Sequence, residues 1–146
     1  MKEVAVGILT RDGLVLACQR RRTVRYPLKW EFPGGKLERG ETPPDTLRRE
    51  LREELSIDAG PMDLLHRQEW TYPEASGQDG ADRTYRVFYY TVRSFHGEPV
   101  NHVFEQIRWV SLAELEGMDI LEGNREAVRL LITCTDQSDG RASEGA

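Results

Sequence analysis

The sequence predicts an α+β protein in which a mixed β-sheet is sandwiched between α-helices, an α/β/α layering. Three observations predict it. Short aliphatic and β-branched runs stand both before and after a central helical segment, that segment carries a leucine at every fourth position, and a second helical pattern with one apolar face follows the last strand. At 146 residues and 38% hydrophobic content, the chain suits one domain with one core.

The elements follow in order. Val4 to Leu9 and Leu14 to Cys18 are apolar runs separated by Arg11-Asp12-Gly13, a turn signal, and read as a β-hairpin. The stretch from Arg20 to Tyr26 is polar and basic. Trp30-Glu31-Phe32 is a short run ended by a bend at Pro33-Gly34-Gly35. Thr42-Pro43-Pro44-Asp45 supplies a capping threonine, a proline at the first helical position and an acid three places after the cap. The helix it starts should run to Leu55, with Leu47, Leu51 and Leu55 toward the core and Arg48 and Arg52 toward water. Leu64 to Tyr72 and Thr84 to Phe95 read as strands, and Pro73 to Asp82 between them as a mobile loop. Ile107 to Val110 is a further strand, and Asn124 to Thr133 a helix with Val128, Leu131 and Ile132 on one face. The domain is therefore expected over residues 1–134. Residues 135–146 lack large apolar side chains and are expected to form a disordered tail.

Twenty basic residues against 25 acidic ones give a net charge of -5, which argues against a protein that coats a nucleic acid polymer. No run approaches the ~20 apolar residues of a membrane span, and the N-terminus has no long apolar leader. Cys18 and Cys134 each stand beside aliphatic residues and read as small buried hydrophobes in a reducing compartment, so a cytoplasmic protein is expected. His66, His96 and His102 are scattered with no zinc spacing. Trp109 reads as core, while Tyr72 and Phe88 either pack or line a base pocket.

The chemistry is carried by carboxylates. Glu50, Glu53 and Glu54 fall within an arc of roughly 100° on a helix, at spacings that bring side chains together. Like charges so placed cost free energy unless a cation sits among them, and oxygen-rich clusters suit hard divalent ions. Taken alone, E-x-x-E-E also describes a solvated acidic face paired with Arg48, Arg49 and Arg52. The longer pattern decides. Gly35, Glu41, Arg49, Glu50, Leu51, Glu53, Glu54 and Ile57 stand at the spacings G-x5-E-x7-R-E-U-x-E-E-x-x-U, U being aliphatic. A chance match at a given start is on the order of 10⁻⁸ to 10⁻⁹. This pattern resembles the Nudix box, with one departure: Ser56 stands where the family has glycine.

The resemblance implies a Nudix fold and a divalent-metal hydrolase. Glu50, Glu53 and Glu54, with the Gly34 carbonyl, would bind the metal, Mg²⁺ or alternatively Mn²⁺. Glu50 is the first candidate for activating water, Arg49 and Glu41 support it, and Glu105 is a second candidate base or else an exposed strand-edge acid. Trp30-Glu31-Phe32-Pro33-Gly34-Gly35-Lys36 and His96-Gly97-Glu98-Pro99 are similar to segments of MutT-type members, so the resemblance covers roughly residues 4 to 132. It implies substrate contacts from Glu31 and Phe32, a phosphate contact from Arg20, a base contact from Asn124, and a weaker one from Arg83 of the Asp82-Arg83 pair. Arg20 to Arg22 also reads as a plain basic loop, and Asn124 also as a helix cap.

The activity so implied is cleavage of a (d)NTP to the monophosphate and pyrophosphate, with 8-oxo-dGTP as a candidate substrate. Hydrolysis of ADP-ribose or a nucleotide sugar is the alternative within the family, and a non-catalytic nucleotide sensor the alternative outside it. The expected partner is a small nucleotide, with neither a nucleic acid polymer nor a membrane, and monomer and homodimer both stay open.

Overall fold

The computed structural model of the chain describes residues 1–72 and 84–144, with side chains described to residue 134. Strands β1 (Lys2–Arg11) and β2 (Leu14–Gln19) form the expected hairpin. Asp12 and Gly13 both take positive φ, 54° and 77°, the backbone that matches a two-residue turn to the twist of its strands. After β3 (Trp30–Glu31) and β4 (Gly34–Lys36), helix α1 runs Pro43–Leu55. Its start is a reciprocal box in which Thr42 Oγ1 accepts from the Asp45 N–H and the Asp45 carboxylate accepts from the Thr42 N–H. Then come β5 (Asp58–Ala59), β6 (Met62–Thr71), β7 (Thr84–Val92), β8 (Phe95–His96), β9 (Gln106–Val110), α2 (Leu112–Glu116), a 3₁₀ turn at Glu122–Asn124 and α3 (Arg125–Glu144).

The sheet is mixed, as expected. Its path is β3-β2-β1-β7-β6, with β4 also on β1 and β9 also on β2; β1 and β7 run parallel, the other pairs antiparallel. Because strand side chains alternate, β1 feeds two cores. Val6 and Ile8 join Tyr89, Phe32, Val128 and Leu131 on the α3 side. Ala5 and Leu9 join Leu47, Leu51 and Leu55 on the α1 side, and all three helix leucines are fully buried. Gly7 completes that face, since a Cβ there would lie 3.1 Å from Leu47 Cδ1.

Two expectations need correction. Arg48 does not point to water but donates to the Ala59 carbonyl, because α1 turns straight into β5 and leaves that acceptor beside it. The strand expected from Thr84 to Phe95 is broken after Val92 and resumes as β8, which pairs with β5 and not with the main sheet. Over residues 135–144, where a tail is expected, the backbone continues α3, since extending an already nucleated helix costs far less than a new nucleus. Of the two readings of Phe88, packing and pocket lining, the structure favours packing: Phe88 is on the face of β7 away from the cavity, beneath the Arg67 guanidinium at 5.8 Å. The mobile loop expected at Pro73 to Asp82, and Arg83 with it, lie outside the described residues.

Candidate active site

The site begins where β4 is wedged between β1 and α1. A Cβ at Gly34 would sit 2.1 Å from the Ala5 carbonyl oxygen, and one at Gly35 would sit 2.4 Å from Glu50 Cδ. At Gly34 a side chain would meet backbone that has no room to give, and at Gly35 it would push the Glu50 carboxylate aside, so the two glycines let the backbone lie between strand and carboxylate with both in place. That approach gives the Glu54 carboxylate its one described hydrogen bond, from the Gly34 N–H to Oε1 at 3.0 Å.

Arg49 organises the rest. Its Nε and Nη2 grip both oxygens of Glu41 at 2.9 Å each, and its Nη1 reaches Glu50 Oε1 at 2.9 Å and Glu53 at 3.5 Å. Glu41 is also held by the Glu38 N–H at 2.9 Å and the Thr46 hydroxyl at 2.8 Å. The forked guanidinium thus fixes the loop before α1 to the helix and steadies Glu50. Glu41 is lowered to about 2 by its Arg49 hydrogen bonds, with the Glu38 N–H adding to them, and Arg49 is raised by the same contact.

Burial works the other way on the two inner carboxylates. It raises Glu50 despite the Arg49 hydrogen bond. Glu54 is pushed up to about 8, first by burial and then by the neighbouring Glu50 charge, with Glu31 and Glu53 adding to it and only the Gly34 N–H opposing. No cation among the described residues helps keep Glu54 ionised. Glu53 is the outermost of the three, with 57% of its side chain exposed. Among the described residues no three such groups are gathered into a finished metal cage. The donor set still fits a hard divalent cation: hard oxygen ligands on one helical edge, one of them a buried carboxylate short of positive charge.

Beside this ridge lies a cavity of about 310 Å³ lined by Arg20, Tyr26, Glu31, Phe32, Gln68, Trp70, Tyr72, Tyr85, Tyr89 and Asn124 among others. The two are neighbours, since the charge of Glu31 in the cavity wall raises Glu54. Tyr26 and Tyr72 rings lie 5.0 Å apart, and Tyr72 meets Trp70 and Tyr85 edge-on. At the floor the Tyr89 hydroxyl donates to Asn124 Oδ1 at 2.8 Å. Asn124 is buried. Tyr26 Oη and Trp70 Nε1 are buried without a described hydrogen-bond partner, each a cost of about 1–3 kcal/mol unless something bound in the cavity satisfies it.

The expected substrate residues Arg20, Glu31, Phe32 and Asn124 therefore share one cavity, and Tyr72 belongs to it as well. Arg20 is more engaged than expected. It donates to Glu31 at 3.1 Å and twice to the Arg25 carbonyl, at 2.9 and 2.7 Å, so it also shapes the loop that carries Tyr26. Burial raises Glu31, and Arg20 draws it back. Glu105 pairs with Arg22 at 3.7 Å, and no described hydrogen bond or ion pair joins it to the α1 residues. Trp109 stacks on Phe95 under the Arg11 guanidinium, a packing role as expected. Sequence reasoning missed Tyr26, Gln68, Trp70, Tyr85 and Tyr89. For the last four the signal was the period of two: Gln68 and Trp70 on β6, with Tyr72 just past its end, and Tyr85, Val87 and Tyr89 on β7, face one way.

Comparison with known proteins gives a consistent picture. The family model described as the NUDIX domain matches residues 1–131. An 8-oxo-dGTP diphosphatase of Escherichia coli strain K12 is 31% identical over 130 residues, 88% of this chain and 95% of its own length. A CTP pyrophosphohydrolase of the same strain is 36% identical over 116 residues, 78% of each chain. The solution structure of the E. coli ORF135 protein superposes with a TM-score of 0.77 at 30% identity, covering 91% of this chain and 89% of that one.

Proposed function

The chain belongs to the Nudix family, and we propose that within it the protein is a metal-dependent pyrophosphohydrolase that cleaves a (d)NTP to the monophosphate and pyrophosphate. The observation that carries this reading is the juxtaposition of the α1 carboxylates, packed on the Gly34–Gly35 backbone, with an aromatic cavity of nucleoside size. Glu50, Glu53 and Glu54 with the Gly34 carbonyl would hold Mg²⁺, or Mn²⁺, which supplies positive charge against phosphoanhydride oxygens and acidifies nearby water.

The chain's own residues do the rest. Glu50, held by Arg49, accepts the proton of the attacking water as the water oxygen bonds to the α- or β-phosphorus; the P–O bond between these two phosphates breaks and its electron pair leaves with the displaced phosphate group, giving monophosphate and pyrophosphate. Arg49 and Glu41 act through Glu50 by fixing its orientation. Glu105, beside Arg22, is the reserve base. At the other end the base enters the cavity, where Tyr72 and Phe32 offer apolar area and Asn124, its carbonyl taken by Tyr89, offers its amide N–H groups. Arg20 sits at the mouth with Glu31 and can exchange that partner for phosphate.

Two relatives support different bases, an oxidised guanine and cytosine, and 8-oxo-dGTP leads because the more fully covered relative carries that activity in its name. Both cysteines are free, Cys18 buried as expected and Cys134 exposed on α3 against expectation, and free thiols favour a cytoplasmic setting. No described helix is long and apolar enough to cross a membrane. Product analysis with Mg²⁺ across 8-oxo-dGTP, dGTP, CTP, other triphosphates and ADP-ribose tests the proposal. Monophosphate plus pyrophosphate is the expected product; turnover of ADP-ribose alone would move the protein to the nucleotide-sugar class, and binding without turnover to the sensor class.

A further inference from the structure

Helix α1 ends at Ser56, whose backbone lies in the left-handed region at φ 57° and ψ 36°. Glycine takes that conformation without strain and serine does not. The serine hydroxyl has a partner: Ser56 Oγ and His102 Nε2 are 2.6 Å apart. From the same loop the His102 N–H donates to the Glu54 carbonyl at 3.1 Å and the Val100 N–H to the Leu55 carbonyl at 2.9 Å, serving acceptors that a helix end leaves unpaired.

The loop is equally fixed at its far side. Arg21 Nε donates to the Val103 carbonyl at 2.8 Å, the Glu105 N–H donates to the Gln19 carbonyl at 2.9 Å, and the Glu105 carboxylate pairs with Arg22. Phe104 is buried in the core beneath α1, and Asn101 closes the turn by exchanging two hydrogen bonds with the Phe104 backbone. Residues 97–105, which form no strand or helix, therefore bridge the end of the carboxylate helix and the arginine segment at 20–22.

We propose that the Ser56–His102 hydrogen bond is a positioning latch, which holds this loop on the end of α1 and so sets the placement of Glu105 and Arg20–Arg22 relative to the α1 carboxylates. Neither residue touches the reacting atoms. A glycine at 56 would make an easier cap but would leave the imidazole without this partner, so the strained serine is retained for the contact it makes. The inference rests on the proposed function, in which α1 holds the metal and the arginine segment meets phosphate.

The test separates cap from latch. Ser56→Gly removes both the strain and the hydroxyl, so Tm should stay or rise while kcat/KM for the preferred triphosphate falls about tenfold, a modest loss for misplaced groups. Ser56→Asn tolerates the left-handed backbone and keeps a polar partner for His102, and should recover most of the rate. His102→Phe should match Ser56→Gly in rate, and the double variant should lose no more than either, as expected for one shared contact. Full kcat/KM in Ser56→Gly, or losses that multiply in the double variant, would overturn the latch. If the wild-type protein turns over no nucleotide, the proposed function fails separately. Amide exchange then reads the latch alone: faster exchange at residues 100–105 in Ser56→Gly supports it, and unchanged exchange overturns it.

Discussion

At the scale of single residues the decisive fact is that two neighbouring carboxylates on α1 lie in opposite surroundings. Glu53 is largely exposed and carries no packing, so Glu53→Gln should leave Tm nearly unchanged. Its turnover should nonetheless fall by more than the roughly 10–100-fold that losing an outer-shell metal partner costs. Steady-state rates in Mg²⁺ with a melting curve check both halves. Glu54 is the reverse case. Its folded value of about 8 lies above the ordinary carboxylate value near 4.5, so the folded state keeps a proton that the unfolded chain gives up. Below about 4.5 both states are protonated and the group contributes nothing; as pH rises toward 8 it lowers stability, and above 8 that penalty is constant. Glu50 is raised and acts in the same direction, whereas Glu41, held low by Arg49, stabilises the fold and loses that contribution only as pH falls from about 4.5 toward 2. Urea midpoints in EDTA at pH 5 and pH 8 should therefore show a decline that Glu54→Gln reduces and that Mg²⁺ reverses in the wild-type protein. No difference between Glu54→Gln and wild type at pH 8 in EDTA would refute the assignment.

At the scale of elements, α1 does two jobs with one periodicity. Leu47, Leu51 and Leu55 bury one edge completely, and that anchorage presents the glutamates on another. Leu51→Ala should cost about 2–5 kcal/mol in chemical denaturation, as for other leucines deleted from a packed core. It should also loosen the Arg49–Glu41 clamp, since that pair is held by the same turns of helix. Most of this element was legible in the sequence because its signals are local: the Thr42–Asp45 cap, the prolines, the four-residue leucine spacing and the glutamates that share the helix with them. Gly34 and Gly35 were legible as a bend, but not as the strand β4, because three residues with two glycines carry no side-chain period. Helix α2 was missed although Ser111 and Glu114 form a capping box of their own, since five residues give too short an apolar pattern to read. The fate of Arg48 was likewise hidden, because its acceptor belongs to the next element.

At the scale of the whole molecule, the sheet brings β3, β6, β7 and the turn before α3 to one cavity that no stretch of sequence contains. Asn124, Arg20, Glu31 and Phe32 were found through resemblance; Tyr26, Trp70, Tyr85 and Tyr89 needed the register of β6 on β7 and the return of the loop after β2. Trp70→Phe tests what the cavity is for. Among the described residues nothing pairs with the indole N–H, so its removal should leave Tm unchanged or slightly higher. If a bound nucleotide satisfies that donor, KM should rise by roughly threefold to tenfold. A lower Tm with unchanged KM would make Trp70 a packing residue only.

The proposed chemistry depends on α1 as a cation-holding edge, and Mn²⁺ uptake tests that most directly. Water-proton relaxation or calorimetry on the wild-type protein with a non-hydrolysable dGTP analogue should show saturable Mn²⁺ binding, strongly weakened in both Glu53→Gln and Glu54→Gln. Equal uptake by the wild type and both variants would contradict it.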